Sequence, residues 1–456
     1  MVNLRAQPRC LRSLLTRKIG LTNTIYDIIG IGFGPANIAL AIALEELAPQ
    51  LSVRFFERRA RSVWQPGMLL DGSDIQNHPL RDLVTPRNPR SRYTFTNFLH
   101  EHNRLYEHLN LPLHYPLRLE YAQYVSWAAN CFQRQVDYLR EVIDISPVAA
   151  ADGTLIHFRV SCSDGEYDAR SVVLAPGRTP NIPEPFNRTV DTRVVHLDNY
   201  LPALQQMKAR GGDRVAVVGG SQSAVEILLH ACGESSLKRV VGITRNFGYR
   251  QKDTSPFSDE VYFPSFVDTF YSASPEHKER LRQELVHTNY SAADIDVLNQ
   301  LYVRQYNNRL LGKDQLMLLT CMETEDCESS IDGVTLRLHH FLSGKTVDET
   351  VDLVILATGF LDLGVGPKRE PWPHVLKTLS PLLGAEHRTI EIGLDYRIRL
   401  RGAANRGASL FLNGLCESSH GMGDAGSFSL LALRSQSIVR SLCQHLQEPV
   451  VGTACS

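Results

Sequence analysis

The stretch Tyr26–Ala43, YDIIGIGFGPANIALAIA, decides the fold of this chain. A strand-like apolar run leads into glycines at positions 30, 32 and 34, and a segment with helical character follows. In a βαβ nucleotide-binding unit the first glycine permits the tight turn, and the second lets the backbone approach a pyrophosphate at the helix N-terminus. Pro35 stands where the usual pattern has its third glycine. Because Glu57 ends the next strand-like run, where a ribose hydroxyl is usually held, the sequence predicts a dinucleotide site here.

A second unit of the same design opens near Asp213, in DRVAVVGGSQSAVEILLHAC. A strand-like run, Val215–Val218, precedes two glycines and a helical segment, and Ser221 replaces one expected glycine. The following strand-like run ends in Arg245, where the first unit has a glutamate. A cation at that place suits the 2′-phosphate of NADPH, so NADPH is favoured over NADH. The alternative is a solvent-facing arginine that simply ends a strand.

Composition is that of a globular enzyme. The chain has 456 residues, enough for about two or three domains, and 43% hydrophobic with 21% charged residues is an ordinary balance. A net charge of −1 gives no electrostatic reason to expect nucleic acid or an anionic membrane as a partner. Nine cysteines without a C-x-x-C pair indicate free thiols in a reducing, cytoplasmic compartment.

The N-terminal segment 1–24 differs from the rest because it carries several arginines and a lysine but no acid. That composition is typical of an organellar targeting peptide. A disordered extension is the alternative, and in either case we expect a basic tail outside the fold.

Between and after the two glycine turns, patterns predict further elements. Residues 62–95 are rich in Pro, Asn and Arg and too long for an ordinary connector, which favours a functional loop. Two helical patterns follow at 95–109 and 120–136, and then a small β-meander over 139–177. Residues 253–310 read as a polar helical insertion over the site, and the chain ends in a Gly- and Ser-rich loop and an amphipathic helix.

The chain resembles the class B flavin-dependent monooxygenases, and within them the N-hydroxylating ornithine and lysine monooxygenases of hydroxamate siderophore pathways. The resemblance spans about residues 26–446. It rests on these stretches: GIGFGPANIALAI; IQNHPLRDLVTPRNPRSRYTF; VVGGSQSAVE; DTSPFSDEVYFPSFVD with TNYS; and ILATGF with SSHGMGDAGSFSLLALR.

The resemblance implies an α/β fold with two Rossmann-like dinucleotide-binding domains, the NADPH domain being inserted in a discontinuous FAD domain. The expected boundaries are 25–190 and 346–456 for the FAD domain and 191–345 for the NADPH domain, with the strand in VDLVILATGF returning the chain to the flavin. A homo-oligomer, a tetramer in much of the family, is also implied.

The family chemistry needs FAD, NADPH and O₂. NADPH reduces the flavin, the reduced flavin captures O₂ as a C4a-hydroperoxide, and a neutral amine takes the distal oxygen to become a hydroxylamine. Since the cofactors carry the difficult chemistry, neither a metal nor a catalytic acid–base triad is required, and the sequence shows no signature of either. The implied product pathway is siderophore or other secondary-metabolite biosynthesis.

Site residues carry over position by position. For FAD the resemblance implies Gly30, Gly32, Gly34, Pro35, Asn37, Glu57, Gln76, Arg87 and Asn88. For NADPH it implies Gly219, Gly220, Ser221, Gln222, Ser223 and Arg245. The family's substrate residues are a lysine in F-L-K-D-L, asparagines in S-P-F-x-N-E and T-N-Y-S, and a serine in the C-terminal loop; their matches here are Arg81, Asp259, Asn289 and Ser429.

Two of the four substrate positions differ from the family pattern. Arg81 replaces a lysine with a planar fork that can take a carboxylate in bidentate fashion. Asp259 replaces an amide with an acceptor-only anion, which favours a cationic group. We therefore expect Asp259 to hold the non-reacting end, or a guanidinium, of a substrate other than plain ornithine, with arginine, lysine and diamines as candidates. The alternative is that Arg81 and Asp259 pair with each other and leave ornithine recognition intact.

Other classes of flavoprotein remain open as alternatives. A disulfide reductase lacks support because neither nucleotide unit carries C-x-x-C, while an NADPH oxidase stays possible. A Baeyer–Villiger or sulfur monooxygenase would show a linker fingerprint that this sequence lacks. We interpret His420 as a loop hydrogen-bonding residue, and Trp64 and Trp127 as packing residues.

Overall fold

The computed structural model describes residues 25–383, 389–405, 407–424 and 426–447, so the basic tail 1–24 lies outside the described residues. The strands are β1 (Ile25–Ile31), β2 (Val53–Glu57), β3 (Val136–Tyr138), β4 (Val142–Ala149), β5 (Leu155–Cys162), β6 (Gly165–Leu174), β7 (Val194–His196), β8 (Arg214–Val218), β9 (Arg239–Ile243), β10 (Leu316–Leu319), β11 (Met322–Ser330), β12 (Gly333–His340), β13 (Lys345–Val351), β14 (Leu353–Leu356), β15 (Asp362–Leu363), β16 (Arg369–Glu370) and β17 (Ser409–Leu412). The helices are α1 (Pro35–Leu47), α2 (Phe95–Glu101), α3 (Leu105–Leu109), α4 (Arg118–Asn130), α5 (Tyr200–Ala209), α6 (Gln222–Gly233), α7 (Pro264–Ser272), α8 (Pro275–Leu285), α9 (Ile295–Leu310), α10 (Glu417–His420) and α11 (Leu431–Leu446).

The first sheet has the order β3-β2-β1-β6-β5-β4. Strand β6 is long enough to pair β5 antiparallel along its first half and β17 parallel along its second half. Parallel pairing of β1 with β2 and β6 places the carboxyl ends of these strands at one edge. The predicted meander is confirmed as β4, β5 and β6, and the helical pattern at 95–109 divides into α2 and α3.

The second sheet has the order β10-β9-β8-β14-β7, and all of its pairs are parallel. A smaller antiparallel sheet, β11-β12-β13, packs on it through Val334, Leu336 and Leu338, which share a core cluster with Val241 and Val354. The chain leaves the first sheet after β6 and re-enters it at β17. The predicted insertion of one Rossmann-like unit inside another is therefore confirmed.

The predicted boundary at residue 346 is wrong. Strand β14 lies between β7 and β8 in the second sheet, so VDLVILATGF does not return the chain to the first sheet. Leu363 is the first described residue after this strand that joins the core of the first unit. A buried apolar strand suits either parallel sheet equally well, because its residues contact apolar neighbours on both faces.

Local sequence explains where key helices begin. Pro35 opens α1, where its missing N–H is not needed and its fixed φ suits the first turn. The side chains of Thr94 and Ser274 cap α2 and α8 by accepting from backbone N–H groups three residues on. Trp64 packs edge-on against buried aromatic rings, and Trp127 packs tilted or stacked against others, so both are packing residues, as predicted.

The described cysteines are all free thiols. Within the described ranges, no helix combines the length and the apolar character needed to cross a membrane.

Candidate active site

The first and second sheets each have a glycine turn at the carboxyl end of an inner strand, β1 and β8, and backbone approaches both turns closely. Gly32 has φ +80°, and a Cβ there would lie 2.4 Å from the carbonyl oxygen of Ala175. Gly219 has φ +152°, and its Cβ would lie 2.4 Å from the carbonyl oxygen of Ala357. In both turns the neighbouring parallel strand passes so closely that only glycine fits.

The helices that follow the turns begin without a side-chain cap. Neither Gly34 at the start of α1 nor Ser221 at the start of α6 supplies a side-chain hydrogen bond to the first helical turn. A Cβ built on Gly34 meets no atom of the described ranges within 4 Å. Uncapped N–H groups beside open space are what an anion at a helix N-terminus requires.

One acidic and one amide side chain, those of Glu57 and Asn37, shape the first glycine turn. Glu57 accepts from the N–H of Phe33 at 2.8 Å and, with its other oxygen, from the N–H of Arg59 at 2.9 Å. Asn37 donates to the carbonyls of Ile31 and Gly32 and is fully buried. The side chain of Asn37 therefore holds the turn in place, and its assignment to the FAD site stays a prediction.

The long segment after Glu57 is anchored on α1 by Glu46. Arg87 and Asn88 donate to the same oxygen of Glu46 at 2.7 and 2.9 Å, and Ser91 donates to the other. The side chain of Arg87 is only 3% exposed, which leaves little of it to face a cofactor. The prediction that Arg87 and Asn88 lie near the flavin ring therefore depends on the backbone of this segment and not on their side chains. Gln76, in contrast, has φ +51°, and its buried Nε2 has no hydrogen-bond partner among the described residues.

The second turn is tied to its surroundings through Gln222. Its Nε2 donates to Glu226 at 2.9 Å, and its Oε1 accepts from the N–H of Asp294 at 2.8 Å. Glu226 in turn forms a buried ion pair with Arg118 of α4, at 2.8 Å. This pair joins the helix that follows the second turn to the first unit, and sequence patterns did not indicate it. Ser223 is half-buried in the first turn of α6.

The four predicted substrate residues come from segments that meet in one place. The guanidinium carbon of Arg81 lies 5.9 Å from the ring centre of Tyr262, which ends the 3₁₀ turn that carries Asp259. The hydroxyl of Tyr262 lies 3.4 Å from the carbonyl oxygen of Thr288, next to Asn289. Thus a single tyrosine joins three of the four segments.

Ser429 reaches the same region through Asn77. The hydroxyl of Ser429 donates to Asn77 Oδ1 at 3.2 Å, and Asn77 Nδ2 donates to the carbonyl of Arg81 at 2.7 Å. The C-terminal loop also packs closely here, because a Cβ on Gly423 would lie 2.6 Å from the carbonyl of Val261. The structure therefore gathers all four segments, while their contacts to substrate stay a prediction.

Arg81 and Asp259 do not pair with each other. Among the described residues the Arg81 guanidinium forms neither an ion pair nor a hydrogen bond, and no cation lies within 4.0 Å of the Asp259 carboxylate. Burial raises the pKa of Asp259, and Lys252 and Arg81 oppose that shift from a greater distance. Both side chains are thus left available to a ligand.

The surroundings of Asp259 are rich in carboxylates. The pKa of Tyr115 is raised by burial and by the charges of Asp294, Asp259 and Asp74. Burial also raises the pKa of Asp74 to about 6. We infer that this part of the site favours cationic groups.

Cys416, His420 and Asp424 are buried, and their possible ligand atoms lie within 4.8 Å of one another. Asp424 already pairs with Arg434, and burial raises the pKa of the Cys416 thiol well above its usual range. A neutralised carboxylate and a protonated thiol suit a metal ion poorly. His420 Nδ1 lies 2.7 Å from Ser419 Oγ, which agrees with its interpretation as a hydrogen-bonding residue.

Comparisons with known proteins agree with this geometry. Residues 24–362 match the family model described as L-lysine 6-monooxygenase/L-ornithine 5-monooxygenase. The chain is 36% identical to the L-ornithine N(5)-monooxygenase of Pseudomonas aeruginosa, over 95% of this chain and 96% of that protein. The chain belongs to this family.

Two solved structures of the family superpose on most of the chain. The ornithine N-hydroxylase of Kutzneria sp. 744, in a complex with reduced FAD, NADP⁺ and L-ornithine, has a TM-score of 0.84 at 30% identity, covering 92% of this chain and 99% of that one. The L-lysine 6-monooxygenase of Pseudomonas syringae has a TM-score of 0.81 at 32% identity, covering 92% and 100%. Accordingly, the chain is a flavin-dependent monooxygenase that uses FAD and NADPH.

The glycine turn after β1 fits FAD, as expected of a flavin monooxygenase. The open space at Gly34 and the uncapped start of α1 suit a pyrophosphate, and Glu57 keeps free lone pairs for a ribose. The orphaned Nε2 of Gln76 is a buried donor that an acceptor on the flavin ring would satisfy. These residues would hold the cofactor, which supplies the reduction of O₂ that no protein side chain provides.

Arg245 gives a test of the NADPH assignment. Its side chain is exposed, two residues after β9 ends. Burial lowers the pKa of the Lys368 ammonium, and the charge of Arg245 nearby lowers it further. Replacing Arg245 by glutamine should raise the KM for NADPH about tenfold, the value of one charge-assisted contact, and leave the KM for NADH unchanged. Arg210→Gln, an exposed arginine in the second unit, is the control. Equal effects on NADPH and NADH would contradict the assignment.

Proposed function

We propose that this monooxygenase hydroxylates the side-chain nitrogen of a free basic amino acid, and that Arg81 and Asp259 hold the end that does not react. The observation that carries the proposal is the unpaired state of both side chains in one site. An amino acid carries a carboxylate and an ammonium on the same carbon. Arg81 would take the carboxylate with its planar fork, and Asp259 would take the ammonium.

The residues of the chain have three tasks in this reaction. They orient the amine through Asn289 and Ser429, they exclude water at the junction of the two units, and they accept the proton that an ammonium must lose before it can act as a nucleophile. When bound, the two dinucleotides supply the hydride and the activated oxygen. Asp259 is best kept at the far end of the substrate, because a carboxylate beside the reacting nitrogen would raise its pKa.

A guanidinium-bearing amino acid is the second candidate. The carboxylates of Asp74 and Asp294 favour this candidate, because their charges act on the same residue, Tyr115, as the charge of Asp259 does. A carboxylate also matches the planar fork of a guanidinium. Ornithine and lysine are favoured by the names of the relatives. A role of this activity in siderophore or other secondary-metabolite biosynthesis is part of the proposal and is supported by the family resemblance of the sequence.

A panel of ornithine, lysine, arginine, putrescine and cadaverine separates these substrates. We expect NADPH-coupled hydroxylamine or hydroxyguanidine formation with one basic amino acid at a kcat/KM at least about tenfold above either diamine, because diamines lack the carboxylate that Arg81 binds. Asp259→Asn should raise the KM of the preferred amino acid about tenfold with little change in kcat, since the contact is uniform binding.

The control for Asp259→Asn is Asp268→Asn, an exposed aspartate of α7. A diamine as the best substrate would contradict the role of Arg81. An unchanged KM in Asp259→Asn would contradict the role of Asp259, and efficient hydroxylation of ornithine alone would remove the guanidinium candidate.

We also infer a cytoplasmic homo-oligomer. Support for the compartment comes from the free thiols of the described cysteines. Support for assembly comes from α9, whose Tyr302, Val303, Tyr306 and Leu310 are all more than half exposed.

A further inference from the structure

A buried polar cluster lies where the two units meet beside the substrate segments. The hydroxyl of Tyr290 lies 2.5 Å from Glu417 Oε2. Arg178 donates to Asp362 at 3.2 Å and lies 3.4 Å from the Tyr290 hydroxyl, with its guanidinium 5.7 Å from the tyrosine ring centre. Four ionisable side chains from four separate segments therefore contact one another.

This cluster lies at the carboxyl edges of the two main sheets, where dinucleotides bind in this kind of fold. Glu417 opens α10 just beyond β17, at the carboxyl edge of the first sheet, and Asp362 follows β14, at the carboxyl edge of the second. Dinucleotides bind at the carboxyl ends of the strands in such sheets. Tyr290 directly follows Asn289, the predicted substrate contact. The cluster thus links the substrate segment, through Tyr290, to the carboxyl edges of the two sheets that carry the glycine turns, through Glu417 and Asp362.

Of the two carboxylates in this cluster, one is in an ion pair and the other is not. Arg178 is paired with Asp362, whereas the Glu417 carboxylate has the Tyr290 hydroxyl as its hydrogen-bond partner and forms no ion pair within 4.0 Å among the described residues. Burial, with the nearby Asp362 charge, raises the pKa of Glu417 to about 7, and Tyr290, Arg178 and Arg282 oppose that shift. A carboxylate of this kind gains or loses a proton near neutral pH.

We propose that Glu417 is a positioning residue that accepts, through the Tyr290 hydroxyl, the proton that the substrate ammonium loses at Asn289. The tyrosine gives its hydroxyl proton to the Glu417 carboxylate and takes one from the ammonium. The ammonium becomes an amine, the carboxylate becomes a carboxylic acid, and the tyrosine is unchanged. No electron moves in this step. This inference rests on the proposed function.

Several titratable groups face Glu417 or its helix and set the pH at which the step occurs. Towards Glu417 itself lie Tyr290, Arg178, Asp362, Arg282 and Tyr262. Other groups on the elements packed against α10 have their own partners, since Tyr271 of α7 packs on His420 and Asp424 pairs with Arg434.

The test compares Glu417→Gln and Tyr290→Phe with the wild type across pH 6 to 9, using the best amino acid of the substrate panel. In the wild type we expect hydroxylamine formation to rise with pH through about 7, because the carboxylate must be ionised to accept a proton. Each variant should lose about 100-fold at pH 7, a usual contribution of proton transfer, and recover as the pH rises and solvent deprotonates the amine. The control is Glu276→Gln, an exposed glutamate of α8.

A second readout does not depend on turnover. A raised pKa in the native state means that the folded protein binds more protons than the unfolded chain between the two pKa values, so stability falls as the pH rises through about 7. Between pH 6 and 8 the unfolding temperature should therefore fall further in the wild type than in Glu417→Gln. An equal fall in both would overturn the titration of Glu417.

The remaining outcomes separate the two proposals. A uniform loss of rate at every pH, with the acid limb unmoved, would overturn the relay and indicate a structural role, while the proposed function would stand. If the wild type makes hydroxylated product from no member of the panel, the proposed function fails and the relay fails with it.

Discussion

Arg434→Met is expected to destabilise the first unit by about 3–5 kcal/mol, the usual cost of removing one partner of a buried ion pair. Arg434 and Asp424 pair with side chains that are 1% and 0% exposed. Methionine keeps the packing volume of the stem but leaves the Asp424 charge buried without a cation. Urea titration of the free energy of unfolding measures the loss.

The effect should extend to flavin content. Arg434 Nε donates to Asn413 at 2.9 Å, and Asn413 donates to Asn37 at 3.0 Å, which holds the carbonyls of the first glycine turn. We therefore expect the variant to be purified with less FAD per chain, read from the flavin absorbance.

Arg440→Met is the matched control because Arg440 lies on the same helix, α11, and is exposed. It should change the free energy of unfolding by less than about 0.5 kcal/mol. The double variant Arg434→Met/Asp424→Asn should recover part of the loss, since it removes the unpaired charge. A loss in Arg434→Met no larger than in Arg440→Met would show that the buried pair is dispensable.

The sequence patterns predicted both glycine turns, because these follow from local spacing. The insertion of one unit in the other was implied by the family resemblance and not by the patterns. The patterns did not predict which sheet takes β14. Its residues, LVIL, are buried on both faces, and nothing in them distinguishes one parallel sheet from another. Strand partners depend on the whole topology, which a short apolar run does not record.

The site residues also fall into those with a local sequence signature and those whose contacts are distant in sequence. Gly32 and Gly219 were predicted because a glycine turn has a local signature. The hydrogen bond between Asn37 and Asn413, which lies 376 residues further along the chain, has no such signature. The partners of Glu417 likewise come from segments far apart in sequence, so its raised pKa had no sequence signal.

A second large effect is expected at Gly34, where valine should raise the dissociation constant of FAD at least about tenfold, equal to about 1.4 kcal/mol of binding free energy, and so lower the FAD content of the purified protein. Among the described residues no atom lies within 4 Å of the Cβ position of Gly34, so the β-carbon of valine meets none of them. What valine would meet is the pyrophosphate that the uncapped start of α1 is arranged to bind. The measurement is flavin absorbance per chain, with the unfolding temperature of the flavin-free protein as a check on folding.

Gly233→Val is the matched control, because Gly233 ends α6 and its Cβ position is also free of atoms within 4 Å. If empty space around a glycine marked only tolerance to substitution, both variants would keep their flavin. Loss of flavin in Gly34→Val alone would show that the space at the first turn belongs to the cofactor. Equal flavin content in the two variants would remove the pyrophosphate from the start of α1, and the whole first turn would need another interpretation.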